Sequence, residues 1–133
     1  MTKKEFLKVC KELYRRGYRR NFKMKDLYKP NYSGLFNHYY KVIERGHDKY
    51  GDARAINQLF FRPWSYWEYR DQLPFPPDSW LSFEAVVVFG RNSDERVSLQ
   101  LQYPERNIDE LEEIAKNFGE WCKKNIKEIK EIE

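Results

Sequence analysis

Lysine and arginine are the side chains of this sequence best placed to do chemistry, and they crowd its start. Eleven of them fall within the first thirty residues, against three acids, Glu5, Glu12 and Asp26. At about 100° per residue, a helix here sets Lys4, Lys8, Lys11, Arg15 and Arg19 within roughly one quadrant. Arg16, Arg20, Lys23 and Lys25 continue the run, with Tyr14, Tyr18, Phe22 and Tyr28 interleaved. Rows of cations neutralise phosphates and release their counterions, and aromatic rings stack on bases. The pattern predicts nucleic-acid contact, with Lys4, Lys8, Lys11, Arg15, Arg16, Arg19 and Arg20 on phosphates and Tyr14, Tyr18 and Phe22 stacking. No base-reading motif accompanies them, so little sequence specificity is expected. The competing reading is a solvated helix face, although such faces usually mix signs.

A second constellation lies between Pro63 and Trp80, where Trp64, Tyr66, Trp67, Tyr69, Phe75 and Trp80 share eighteen residues with four prolines. Tryptophan and tyrosine dominate interface hot spots. The alternative function is therefore a protein-binding adaptor or regulator, with Trp64, Tyr66, Phe75 and Trp80 at the interface and the basic stripe docking an acidic protein partner. Against it, large rings are also what a chain with few aliphatic residues needs for its core. Phe75, between prolines, is expected to close over the sheet as a lid.

Enzyme chemistry has thinner support. Only two histidines occur, His38 and His47, and no CxxC or HExxH spacing is present. His47-Asp48 has the dipeptide form of some metal phosphohydrolases but lacks the rest of a ligand set, and reads as a surface loop. A metal-dependent nuclease is the third reading. It would draw on Asp78 and Glu84, or on Glu68 and Arg70, but the lysine such a site needs is missing. Cys10 and Cys122 fall on apolar helix faces and read as small buried hydrophobes. No catalytic residue, metal or cofactor is expected.

These side chains need elements to hold them. A first helix is predicted over Lys3–Tyr18, with Thr2 and Glu5 as a capping box, Phe6, Val9, Cys10 and Leu13 inward, and Gly17 near its end. A second is predicted over Tyr32–Arg45 from the three-and-four spacing of Tyr32, Leu35, Phe36, Tyr39, Val42 and Ile43, stopped by Gly46. Residues 52–60 are ambiguous and lean towards a short third helix on Ala53, Ala55, Ile56 and Leu59. Trp64–Arg70, Phe83–Phe89 and Val97–Tyr103 read as strands, the last alternating cleanly and the middle one apolar on both faces except for Glu84. Glu84 must then lie at an edge, pair with an arginine, or serve a function. Gly90–Arg96 is a hairpin connection. The last helix, about Ile108–Ile129, carries an apolar stripe of Leu111, Ile114, Ala115, Phe118, Trp121, Cys122, Ile126 and Ile129, with Asn107 and Glu110 as its cap pair.

The expected fold class is thus α+β, in one compact domain over residues 1–133. Two N-terminal helices, or three if residues 52–60 are helical, precede a three-stranded antiparallel meander and a long C-terminal amphipathic helix packed on the sheet. The N-terminal helices are expected to cover the Val86/Val88 face. Ile, Leu, Val and Phe make up 32 of 133 residues, about 24%, above the roughly 20% at which chains tend to stay disordered. No apolar run reaches the roughly 18 residues of a membrane span. The N-terminus shows no apolar signal region, so a small soluble cytoplasmic protein without membrane contact is expected. The net charge of +4 hides an asymmetry of +9 over residues 1–50, −2 over 51–104 and −3 over 105–133. Either the halves attract each other within the fold, or the basic one awaits an anionic partner.

Overall fold

The computed structural model describes residues 3–23, 38–62, 81–90 and 95–126. Within these residues the chain forms a helix α1 (Lys3–Arg15), strands β1 (Arg19–Arg20), β2 (Tyr39–His47), β3 (Ala53–Arg62), β4 (Leu81–Val88) and β5 (Arg96–Tyr103), and a helix α2 (Ile108–Asn125). The strands make one antiparallel sheet in chain order, β1-β2-β3-β4-β5.

This corrects the fold expected from sequence. The described residues hold two helices, one at each end, and a five-stranded sheet in place of a three-stranded meander behind two or three N-terminal helices. Of the predicted second helix, residues 39–45 belong to β2, and of the ambiguous segment, residues 53–60 belong to β3. The physical reason is period. Leu59 and Phe61 alternate with Gln58, Phe60 and Arg62, burying the first pair and half-exposing the rest. Tyr, Val and Ile also favour an extended chain. Register shifts between Val42 and Arg45 insert a bulge that breaks the alternation of β2, so its apolar spacing imitates a helix. The predicted strand at Trp64–Arg70 and the cap Thr2 lie outside the described residues.

Both helices pack on the same side of the sheet. Phe6, Val9, Cys10 and Leu13 of α1 and Ile108, Leu111 and Ala115 of α2 share one core with Tyr39, Leu59, Phe61, Leu81, Phe83 and Ala85. Each large side chain removed from water in this way contributes about 1.5–3 kcal/mol. The expectation that α1 covers the Val86/Val88 face is therefore wrong. By strand alternation that face also carries Gln58, Glu84, Ser98 and Gln100, whereas the helix-facing rows are mainly apolar, with Lys41 and Asn57 as exceptions that meet α2. Trp121, expected in the apolar stripe, is 57% exposed, because the buried line of α2 runs through Leu111, Ala115 and Cys122.

Other local readings hold. Asn107 and Glu110 form a reciprocal capping box at the start of α2. β4 is buried on both faces, and β5 alternates between half-buried and exposed. Cys10 and Cys122 are buried and free. Glu84 lies in a central strand, where Arg62 Nη1 at 3.3 Å and Gln100 Nε2 at 3.1 Å donate to its carboxylate.

Candidate nucleic-acid interface

α1 exists because its four apolar residues recur at helical spacing, and burying them forces the cations outward. Lys4, Lys8, Lys11 and Arg15 are all exposed. The three lysines make no ion pair among the described residues. Along the axis Lys4, Lys8 and Lys11 are spaced by about 6 and 4.5 Å, against one phosphate per about 3.4 Å of a nucleic-acid strand. Each can therefore meet a separate phosphate. A cation in the first turn of a helix also opposes the macrodipole. Lys4 accepts this penalty, whereas α2 begins with Asp109 and Glu110, as stability favours.

The helix ends in a way that brings further cations alongside. The Tyr18 N–H donates to Leu13 O at 3.0 Å and the Gly17 N–H to Tyr14 O at 3.1 Å, with Gly17 at φ +98°. This is a Schellman closure, which needs a left-handed residue at position 17. The chain reverses there into β1, so Arg19 and Arg20 leave the helical row on which the sequence places Arg19. They stand exposed beside the C-terminal half of α1. The Arg19 guanidinium lies 4.7 Å from the centroid of the Tyr14 ring, and Tyr14 remains 64% exposed.

The other expected contacts are placed differently. Arg15 hydrogen-bonds Glu12 through two nitrogens, one at 2.9 Å. The Glu12 carboxyl is held down at about 2, first by Arg15 and then by Arg16. Arg16 is largely shielded and bridges the helices, with Nη1 2.7 Å from both Asp109 and Glu112 and Nε 2.8 Å from Glu12. It is a structural clasp rather than an open phosphate ligand. Tyr18 and Phe22 are core residues, 0% and 6% exposed, so neither ring has a face open to a base. Their expected stacking role has no geometric basis. Tyr18 packs edge-on against Phe61 and Phe22 against Tyr39. Trp64, Tyr66, Phe75 and Trp80 lie outside the described residues.

Sequence reasoning missed the floor of this face. Leu7, Cys10 and Tyr39 join Lys11, Tyr14, Arg19 and Arg20 around a depression of about 510 Å³ between α1 and the β1–β2 edge. Tyr39 sits there because β1 pairs Arg20 with Tyr39 across the strands. That pairing has no local signature. Burial pushes the Cys10 thiol up, so it is not a poised nucleophile.

The acids gather elsewhere. Glu44, Asp109, Glu112, Glu113 and Glu120 line a groove of about 660 Å³ between α2 and β2–β3 together with the cations Arg16, Lys116 and Lys123, with Asn57 and Gly119 in its walls. Lys123 pairs with Glu44 across it, and Lys41 Nζ lies 3.3 Å from Glu112. Among the described residues no three His, Cys, Asp or Glu side chains converge as metal ligands. Asp48, the partner of His47 in the dipeptide, is a turn residue. Its carboxylate accepts from the N–H groups of Tyr50 and Asp52 at 2.9 and 3.1 Å and from Arg54. Burial alone would raise this carboxyl, but those bonds, Arg54 first, hold it below the usual range. No helix among the described residues is long and apolar enough to cross a membrane.

The chain matches no protein-family model, no curated protein and no solved structure.

Proposed function

We propose that the protein is a small non-catalytic binding module that holds nucleic acid by its phosphates, with little sequence specificity. The carrying observation is that Lys4, Lys8 and Lys11 stand in an exposed row that makes no ion pair among the described residues, and that Lys11 shares one depression with Arg19 and Arg20 of β1. Lys8 has Glu5 three residues before it and Glu12 four after, the spacing at which helix ion pairs form, yet it pairs with neither among the described residues, and Glu12 is taken up by Arg15 and Arg16. Phosphate contact of this kind fixes orientation and carries no sequence information.

Binding of a fluorescent mixed-sequence oligonucleotide, followed by anisotropy across a salt series, tests the reading. Replacing Lys4, Lys8 and Lys11 together with Gln should weaken binding to every sequence alike. It should also flatten the slope of log affinity against log salt by about 0.7 to 0.9 for each phosphate no longer neutralised. The fold should be unaffected, since all three point to solvent. Equal affinity and slope for variant and parent would remove α1 from the mechanism.

A further inference from the structure

The depression between α1 and β1 adds something that a row of phosphate contacts does not need, namely an apolar floor and an open aromatic face. Three cations, Lys11, Arg19 and Arg20, line it, and no acid among the described residues does. Leu7 and Cys10 supply apolar surface, and Leu7 is itself 39% exposed. Arg19 lies over part of the Tyr14 ring and leaves most of that residue open. Arg20 is paired across the strands with the buried Tyr39, which places it at the edge of the depression. At about 510 Å³ the space is of the size that takes a small organic group.

We propose that this depression receives one unpaired nucleotide of a single strand, its base against Tyr14 and Leu7 and its phosphate among Lys11, Arg19 and Arg20. The inference rests on the nucleic-acid reading above and deepens it by naming the strand class. A duplex keeps its bases stacked and offers only its backbone. An unpaired base has a free π-face that an exposed tyrosine can meet, and such stacking is tolerant of sequence. A lining of cations alone favours an anion over a zwitterionic or cationic group, and the apolar floor favours one with a flat organic body over bare phosphate.

The test compares a single-stranded oligonucleotide with a duplex of equal phosphate number, using the full chain and its Tyr14→Ala and Tyr14→Phe variants. The parent should prefer the single strand. Tyr14→Ala should weaken single-strand binding by roughly 5- to 150-fold, the range for one base–aromatic stack, with duplex affinity unchanged. Tyr14→Phe should retain the parent's preference. Tyr14 is exposed, so all three proteins should share one thermal midpoint. Equal affinity for the two forms, or single-strand binding unaltered in Tyr14→Ala, would overturn the pocket while leaving the phosphate row standing. Failure of the parent to bind either form would overturn both.

Discussion

Tyr18 shows how one residue separates the two roles that aromatic side chains play in this chain. Its ring is fully buried against Phe61, with Lys41 Nζ 5.2 Å from the ring centroid. Its hydroxyl is buried and has no hydrogen-bond partner among the described residues, and burial, followed by the nearby Glu112 carboxylate, pushes its ionisation far up. An unpaired buried hydroxyl costs about 1–3 kcal/mol. Tyr18→Phe keeps the ring and removes that cost, so stability should rise by about 1 kcal/mol. Urea unfolding would show a higher midpoint at unchanged slope, and a lower midpoint would mean the hydroxyl is satisfied after all. Tyr18→Ala should instead cost about 3–5 kcal/mol, as large-to-small core changes do. Neither the hydroxyl nor the ring can touch a nucleic acid, so Tyr18→Phe should bind like the parent. Composition and spacing put Tyr14 and Tyr18 in the same class, and only burial tells the exposed stacking candidate from the core residue.

At the scale of elements, α2 meets β3 through one close approach. A Cβ built on Gly119 would overlap Asn57 Nδ2, and Asn57 is only 5% exposed, with its Oδ1 lacking a partner among the described residues. In an open helix, Gly→Ala stabilises by nearly 1 kcal/mol. Here the clash should reverse the sign, and Gly119→Ala should cost about 1–3 kcal/mol, as overpacking does. Adding Asn57→Ala should recover part of that stability, giving strongly non-additive effects in chemical denaturation. A stabilised Gly119→Ala variant would show that the helix rides clear of the strand. The elements legible in the sequence are those whose signals are local: the apolar face of α1, Gly17 at its end, the Asn107–Glu110 box, and the alternation of β5. β2 and β3 mislead a local reading because Tyr39, Val42 and Ile43, and likewise Ala55, Ile56 and Leu59, recur at spacings that suit a helix. Their true partners lie across strand ladders such as Tyr39↔Phe61 and Leu59↔Ala85, and pairing at that distance leaves no local trace. The same blindness hides the floor of the candidate site, which exists only because β1 sets Arg20 beside Tyr39. The cationic wall, carried by one helix, is legible. Even there, the acids of α2 that capture Arg16 are not.

At the scale of the whole molecule, the basic start of the sequence supplies a row of exposed cations on α1 and β1 among the described residues. Part of the excess positive charge of residues 1–50 is satisfied within the fold, as Arg16 and Lys41 converge on Glu112. Lys4, Lys8, Lys11, Arg19 and Arg20 are left exposed on α1 and β1, while Glu113 and Glu120 line the groove along α2 together with Lys116 and Lys123. Under the proposed function, that exposed row is the side a polyanion meets. The most direct measurement is therefore positional. In a backbone amide NMR titration with a random-sequence oligonucleotide at low salt, the account predicts shifts concentrated over residues 4–20, with residues 109–123 nearly still. Raising the salt should reverse the shifts, because counterion release drives the contact. Shifts centred on α2, or none at oligonucleotide concentrations well above that of the protein, would contradict it.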